Sequence, residues 1–145
     1  MADTPLAGDK VTADLLNGAI SDVLADFFGT QNVSTSQTTT STSYADLATV
    51  GPTATVVSKG TVAVVLWADV QSTTSGSAAS SPAVSGATTT AASDTWGAIA
   101  SDSTRTTVGW AVFTITPGSN TYTIKYRVTG GTGTFRDRRM FVWAP

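Results

Sequence analysis

Tyr122, Ile124, Tyr126 and Val128 alternate strictly with Thr123, Lys125, Arg127 and Thr129, and this run restricts the fold more than any other. A period of two is the period of a strand. It sends the aromatic and β-branched side chains to one buried face and Lys125 and Arg127 to the other. Gly130-Gly131-Thr132-Gly133 follows, and then a second apolar run from Phe135 to Trp143. Strand, glycine turn and strand predict a terminal antiparallel β-hairpin.

The 145 residues suit one β-domain with a modest core and a short appendage, and two full domains do not fit. Only 12% of residues are charged, so Ser and Thr carry the surface polarity. Every acidic residue is Asp, which weakens helices and suits turns and strand ends. A formal net charge of −2 supplies no field to attract nucleic acid or an anionic membrane. No apolar run approaches the roughly 20 residues of a helical membrane span. Met1 to Gly8 lack the basic and apolar regions of a secretory signal, so synthesis in the cytoplasm is expected. Without Cys there is neither a disulfide framework nor a thiolate metal site.

Thr12 to Phe28 is predicted as a helix, with Thr12 as N-cap, Asp14 in the first turn and Gly29 as the stop. Leu16, Ile20, Val23 and Phe27 recur at helical spacing, and Leu15, Ala19, Leu24 and Phe28 widen the stripe. A helix this short needs a partner, whether its own β-domain, a second copy or another protein. Residues 1–33 are therefore read as a helical anchor and linker, and residues 34–145 as the β-domain.

Along that domain, strands are predicted at Thr38–Tyr44, Thr53–Ser58, Thr61–Val70, Ser81–Ala87, Asp94–Ala100 and Arg105–Ile115, ahead of the terminal hairpin. Gly51-Pro52, Lys59-Gly60 and Pro117-Gly118-Ser119-Asn120 mark turns, and Gln71 to Ala79 reads as an exposed loop. Thr61–Val70 is apolar on both faces, so both should be covered. About eight short strands with regular turn signals predict an all-β fold, an antiparallel β-sandwich or jelly roll with a short N-terminal α-helix.

The chain has no His, which excludes Ser-His-Asp and Cys-His catalysis and removes the commonest transition-metal ligand. Asp69, Asp94 and Asp102 sit near predicted strand ends, where Asp commonly bonds local backbone N–H groups, and their spacing identifies no acid–base pair. No calcium-loop pattern occurs. No catalytic residue, metal or cofactor is expected. Arg136, Arg138 and Arg139, with Arg127 and Lys125, form the one charge concentration. Alternation puts Arg136 and Arg138 on one face and Arg139 on the other unless the strand is bulged, and bonding to Asp137, to strand-end carbonyls or to a neighbouring subunit is favoured over a phosphate or sialic-acid-like ligand. Gly130 to Gly133 lacks the Lys and following helix of a phosphate loop. Trp67, Trp110 and Trp143 are read as core or subunit contacts, and Trp96, between Asp94 and Gly97, as the exposed aromatic and possible ligand contact.

Three segments carry a resemblance: Thr38-Thr39-Thr40-Ser41-Thr42-Ser43-Tyr44-Ala45-Asp46-Leu47-Ala48-Thr49-Val50-Gly51-Pro52, the run from Val84 to Asp94, and Pro117 through Phe135. As a set they resemble small virion structural proteins of tailed phages infecting actinobacteria, of the minor tail or head-decoration type, over roughly Ser34 to Pro145. The resemblance implies a phage structural protein, a homotrimer, with no catalytic residues. The expected function is a non-enzymatic virion protein, held to tail or major capsid protein by Leu16, Ile20, Val23 and Phe27 with its β-domain projecting. A capsid decoration protein on the head exterior uses the same parts. A carbohydrate-binding module that recognises a host surface glycan is the alternative from another class.

Overall fold

The computed structural model describes residues 27–72, 76–101 and 105–144. Nine strands follow in order: β1 (Phe27–Val33), β2 (Gln37–Thr39), β3 (Thr53–Ser58), β4 (Thr61–Ser72), β5 (Ser77–Gly86), β6 (Ala98–Ser101), β7 (Arg105–Thr114), β8 (Gly118–Val128) and β9 (Gly133–Trp143). A 3-10 turn, Asp94–Trp96, precedes β6. Among the described residues there is no α-helix, and every strand pairing is antiparallel. One sheet has the order β1-β9-β4-β7, with β2 also paired to β9, and the other has β3-β8-β5-β6.

Alternation decides what each strand buries. Tyr122, Ile124, Tyr126 and Val128 of β8 are buried, as their spacing predicted, and Val62, Val64, Leu66, Ala68 and Val70 of β4 face them in one continuous core. The Tyr126 and Phe135 rings lie 4.8 Å apart across it, inside the range of favourable aromatic pairs. Val56, Val84, Met140 and Val142 complete the same cluster.

The terminal hairpin does not form. β8 and β9 lie in different sheets, joined by an arch in which Gly131 takes φ 68°. A hairpin would put the two apolar faces side by side in one sheet. The arch instead sets Tyr126 against Phe135 across the core, which buries both faces. Lys59-Gly60 likewise joins β3 and β4 of opposite sheets. Among consecutive strands, only β5 and β6 pair directly with each other.

Other boundaries shift for local reasons. Thr38–Tyr44 is not one strand: β2 ends at Thr39, where Ser41 N–H donates to Thr39 Oγ1 and Ser41 Oγ donates to the Ser43 carbonyl. Such side-chain bonds compete with a ladder. The Gln71–Ala79 loop is narrower than expected, since Gln71 and Ser72 extend β4 and Ser77 opens β5. Asp94 to Trp96 turn rather than extend, because Ser93 caps them by accepting from Thr95 N–H.

Most of the predicted N-terminal helix, including Leu16, Ile20 and Val23, lies outside the described residues. Its last part is corrected. Phe27 and Phe28 belong to β1, paired with Trp143 and Val142, and Gly29 falls at a register shift in that pairing instead of ending a helix. The physical reason lies in β9, an interior strand whose outer backbone N–H and C=O groups need partners. The segment read as linker up to residue 33 therefore contributes a strand to the β-domain.

Candidate functional site

The two sheets present unlike outer faces. On the four-stranded sheet, Thr53 and Thr55 of β3 hydrogen-bond across to Thr123 and Thr121 of β8. Further along β8, Lys125 Nζ donates to both Asp46 oxygens at 2.8 and 2.7 Å. Arg127 pairs with Asp94 through Nε at 3.0 Å and through Nη2, and Tyr44 Oη donates to Asp94 at 2.6 Å. Hydrogen bonds from Arg127 and then Tyr44 hold the Asp94 carboxyl below its usual range, while burial and the Asp94 bond push Tyr44 up to about 12. This network ties the 3-10 turn and the Tyr44 loop to β8 through side chains, where the sequence suggested bonds from Asp94 to local backbone N–H groups. Asp69 accepts from Thr106 Oγ1 at 2.6 Å and sits 3.7 Å from Arg136 Nε, and Asp102 lies outside the described residues.

The five-stranded sheet is different. Val108, Trp110 and Val112 of β7 are 68, 71 and 52% exposed, and Trp143 of β9 is 42% exposed. Trp110 and Trp143, read from the sequence as core or subunit contacts, are exposed, which corrects the core placement. Phe113, Ala111 and Gly109 take the inner face of β7. Gly109 explains the choice: a Cβ there would lie 3.1 Å from Ala98 N, so the sheets approach too closely at this edge for the Trp-bearing face to turn inward.

Trp96 is also reassigned. It is partly buried and packs edge-on against Phe113 at 5.5 Å, so it closes the core beside β7. Its outer side and Trp110 share one groove of about 490 Å³, lined by Thr95, Trp96, Gly97 and Val108 through Val112. Among the described residues, no ionisable side chain lines it. The groove therefore offers stacking, van der Waals contact and a few backbone or hydroxyl hydrogen bonds, and no proton transfer.

The arginine cluster is split by a bulge in β9. Trp67 pairs with Arg139 and Asp69 with Arg136, so Asp137 and Arg138 together oppose Ala68, and Asp137 takes φ 46°. The bulge turns Arg138 inward, where it is 1% exposed. Its guanidinium donates to the carbonyls of Thr49 and Gly51 at 3.2 and 3.1 Å and to Gln37 Oε1 at 3.0 Å, above the Tyr126 ring. Arg136 and Arg139 stay exposed. Arg139 joins Asp69, Thr106 and Asp137 around a small hollow of about 250 Å³ at the rim of the apolar face.

Of the residues singled out in the sequence, the structure brings Trp96 to the groove and places Phe27 in the row of Trp143. Sequence reasoning did not single out Val108 and Val112 and read Trp110 as a core or subunit contact, although their alternation with Thr107, Ala111 and Phe113 carried the signal that one set must face out. Among the described residues no cluster of His, Cys, Asp or Glu is arranged to hold a metal ion. The chain matches no protein-family model and no curated protein.

Proposed function

We propose that this chain is a non-enzymatic structural protein of a bacteriophage virion. In this reading it is a homotrimeric jelly-roll module, attached on the side of its five-stranded sheet and presenting the four-stranded sheet outward. The strand order supports the jelly roll. If β1 and β2 count as one interrupted strand against β9, the strands fall into the orders first, last, third, sixth and second, seventh, fourth, fifth. That interleaving is the double Greek key of jelly rolls, an architecture used by viral capsid and lectin domains.

The contrast between the outer faces carries the functional reading. An apolar face centred on Val108, Trp110 and Val112 is what an assembly buries, whereas the threonine pairs and ion pairs of the opposite face suit solvent. β1, the strand that follows the expected anchor in sequence, belongs to the apolar-faced sheet. A minor tail protein is the first assignment, with capsid decoration built from the same parts.

Locating the protein in an electron-microscopy map of whole particles tests this reading. Trimeric density on the tail supports the first assignment, density on the head supports decoration, and absence from the particle overturns both. Sedimentation equilibrium tests the trimer separately, and a monomer at high micromolar concentration counts against it. The groove beside Trp110 favours one second reading, recognition of a neutral host glycan by ring stacking. Loss of glycan-array binding in Trp110→Ala would support it, and absence of binding by the unaltered protein would remove it.

A further inference from the structure

A strand at the edge of a sheet presents a row of N–H and C=O groups without a ladder partner, and native folds usually guard such a row. Three of the edges here are short or broken. β6 has 4 residues, β3 has 6, and β1 carries the register shift between Phe28 and Gln31. β7 is the exception, with 10 residues in unbroken register against β4. It contains no Pro, Lys or acidic residue, and Arg105 at its start is its one charge. Among the described residues its only sheet neighbour is β4. An edge this long, regular and apolar is a template for another strand.

The direction of its hydrogen bonds follows from its last turn, where Ile115 N–H donates to the Gly60 carbonyl at 2.7 Å. Bonding alternates along an antiparallel ladder, so Phe113, Ala111, Gly109 and Thr107 bond to β4. Thr106, Val108, Trp110, Val112 and Thr114 therefore aim their backbone groups at the open edge. The same five side chains stand exposed on the outer face. In either direction they read Thr, Val, Trp, Val, Thr. A row that reads alike both ways complements itself, which is what a twofold contact between identical chains requires.

We infer that β7 pairs antiparallel with β7 of a second copy of this chain, across a twofold axis at Trp110. Val108 then faces Val112 of the partner subunit, Thr106 faces Thr114 of the partner subunit, and the two Trp110 rings meet at the axis. Aromatic, β-branched and threonine pairs are the favourable cross-strand kinds, and no like charges are opposed. The five outward residues of each copy supply about ten hydrogen bonds, as many as a typical interface holds. Moving the axis to Gly109 would set Trp110 against Val108 and lose the match of like with like. Among the described residues the groove beside Trp110 touches both faces of β7 and none of β4, so it runs along this edge and the incoming strand fills it. The axis stands perpendicular to the sheet, so both apolar outer faces point the same way. The inference rests on the edge and not on the virion reading. It is a contact separate from that of the trimer, and joins two protomers or one trimer to the next.

A chain without cysteine permits a direct test on the full-length protein. Val108→Cys and Val112→Cys proteins are incubated together and treated with a short bis-maleimide, and the mixture should cross-link between chains at least tenfold more than either variant alone. Sedimentation equilibrium should give an even number of chains. Trp110→Lys should halve that number, with far-ultraviolet dichroism unchanged, because it sets two charges against each other at the axis. Val57→Lys, at an equally exposed site on the β3 edge, should leave it unmoved. A mixture that cross-links no better than its components, or a mass unmoved by Trp110→Lys, would overturn the inference. A monomer at high micromolar concentration would overturn it too. A lone trimer would overturn the pairing and leave the trimer standing, whereas a lone dimer would support the pairing and reject the trimer.

Discussion

Gly51 O is the point where the buried polar groups converge, accepting from Tyr126 Oη at 2.9 Å and from Arg138 Nη1 at 3.1 Å. Tyr126 has both a packed ring and a bonded hydroxyl, so the two parts can be separated. Tyr126→Ala should cost about 3–5 kcal/mol, and Tyr126→Phe about 1 kcal/mol, in urea denaturation. Arg138→Met should cost about 3 kcal/mol, because it fills the space and leaves the carbonyls it served without their charged donor. Equal stability of Arg138→Met and the unaltered protein would show that those carbonyls find other partners. Trp96→Ala, expected from sequence alone to cost little, should cost about 2 kcal/mol or more because the ring seals the core against Phe113. At Asp94 the effect is one of pH. Its folded-state pKa lies below the ordinary 3.8, so its contribution is present above about pH 4 and is lost as pH falls through the depressed value. Melting curves of Asp94→Asn and the unaltered protein should therefore converge in acid and separate above about pH 4.

At the scale of the element, the bulge of β9 decides which arginine is buried. Asp137 holds φ 46°, in the left-handed region that costs most residues about 1–2 kcal/mol and glycine almost nothing. Asp137→Gly should leave stability within about 0.5 kcal/mol, while Asp137→Val should lower it by about 1–2 kcal/mol, both read by chemical denaturation. If Asp137→Val were neutral, the bulge would have to move and Arg138 could not stay inward. The sequence showed the arginines and the possibility of a bulge. It could not show the bulge itself, because register is set by what β9 meets on β4, where Trp67 and Asp69 take Arg139 and Arg136 and leave two residues facing Ala68. The terminal hairpin failed for a related reason. A glycine-rich link of a few residues serves a turn or an arch equally well, and only the partner sheet chooses between them.

At the scale of the whole molecule, the absence of His, Cys and Glu leaves no side chain with an ordinary pKa between the aspartates and the tyrosines. Stability should be nearly flat from about pH 5 to about pH 9. Above that range buried tyrosines set the limit. Burial pushes Tyr122 from 10.0 up to about 12 and raises Tyr126 as well. Their raised values give stability that is complete below about pH 10 and is lost as pH rises through the folded-state values. Tyr122→Phe should blunt that alkaline loss in melting curves taken from pH 9 to 12. A melting temperature that already varied across the neutral range would point to a titrating group outside this set.

Periodicity determined much by itself. The period of two in Tyr122–Val128 and in Arg105–Ile115 dictated strands, the scarcity of charge and the absence of Glu favoured strands over most of the chain, and the lack of His and Cys removed whole classes of chemistry. These are local facts, written in neighbouring side chains. Tertiary structure decided which face of each strand turned inward. On β7 the larger apolar set, Val108, Trp110 and Val112, lost the interior to Gly109, Ala111 and Phe113, since the close approach of Gly97 and Ala98 admits only small residues there. That approach is made by Gly97 and Ala98 at the start of β6, in the other sheet, and no window of sequence along β7 contains it.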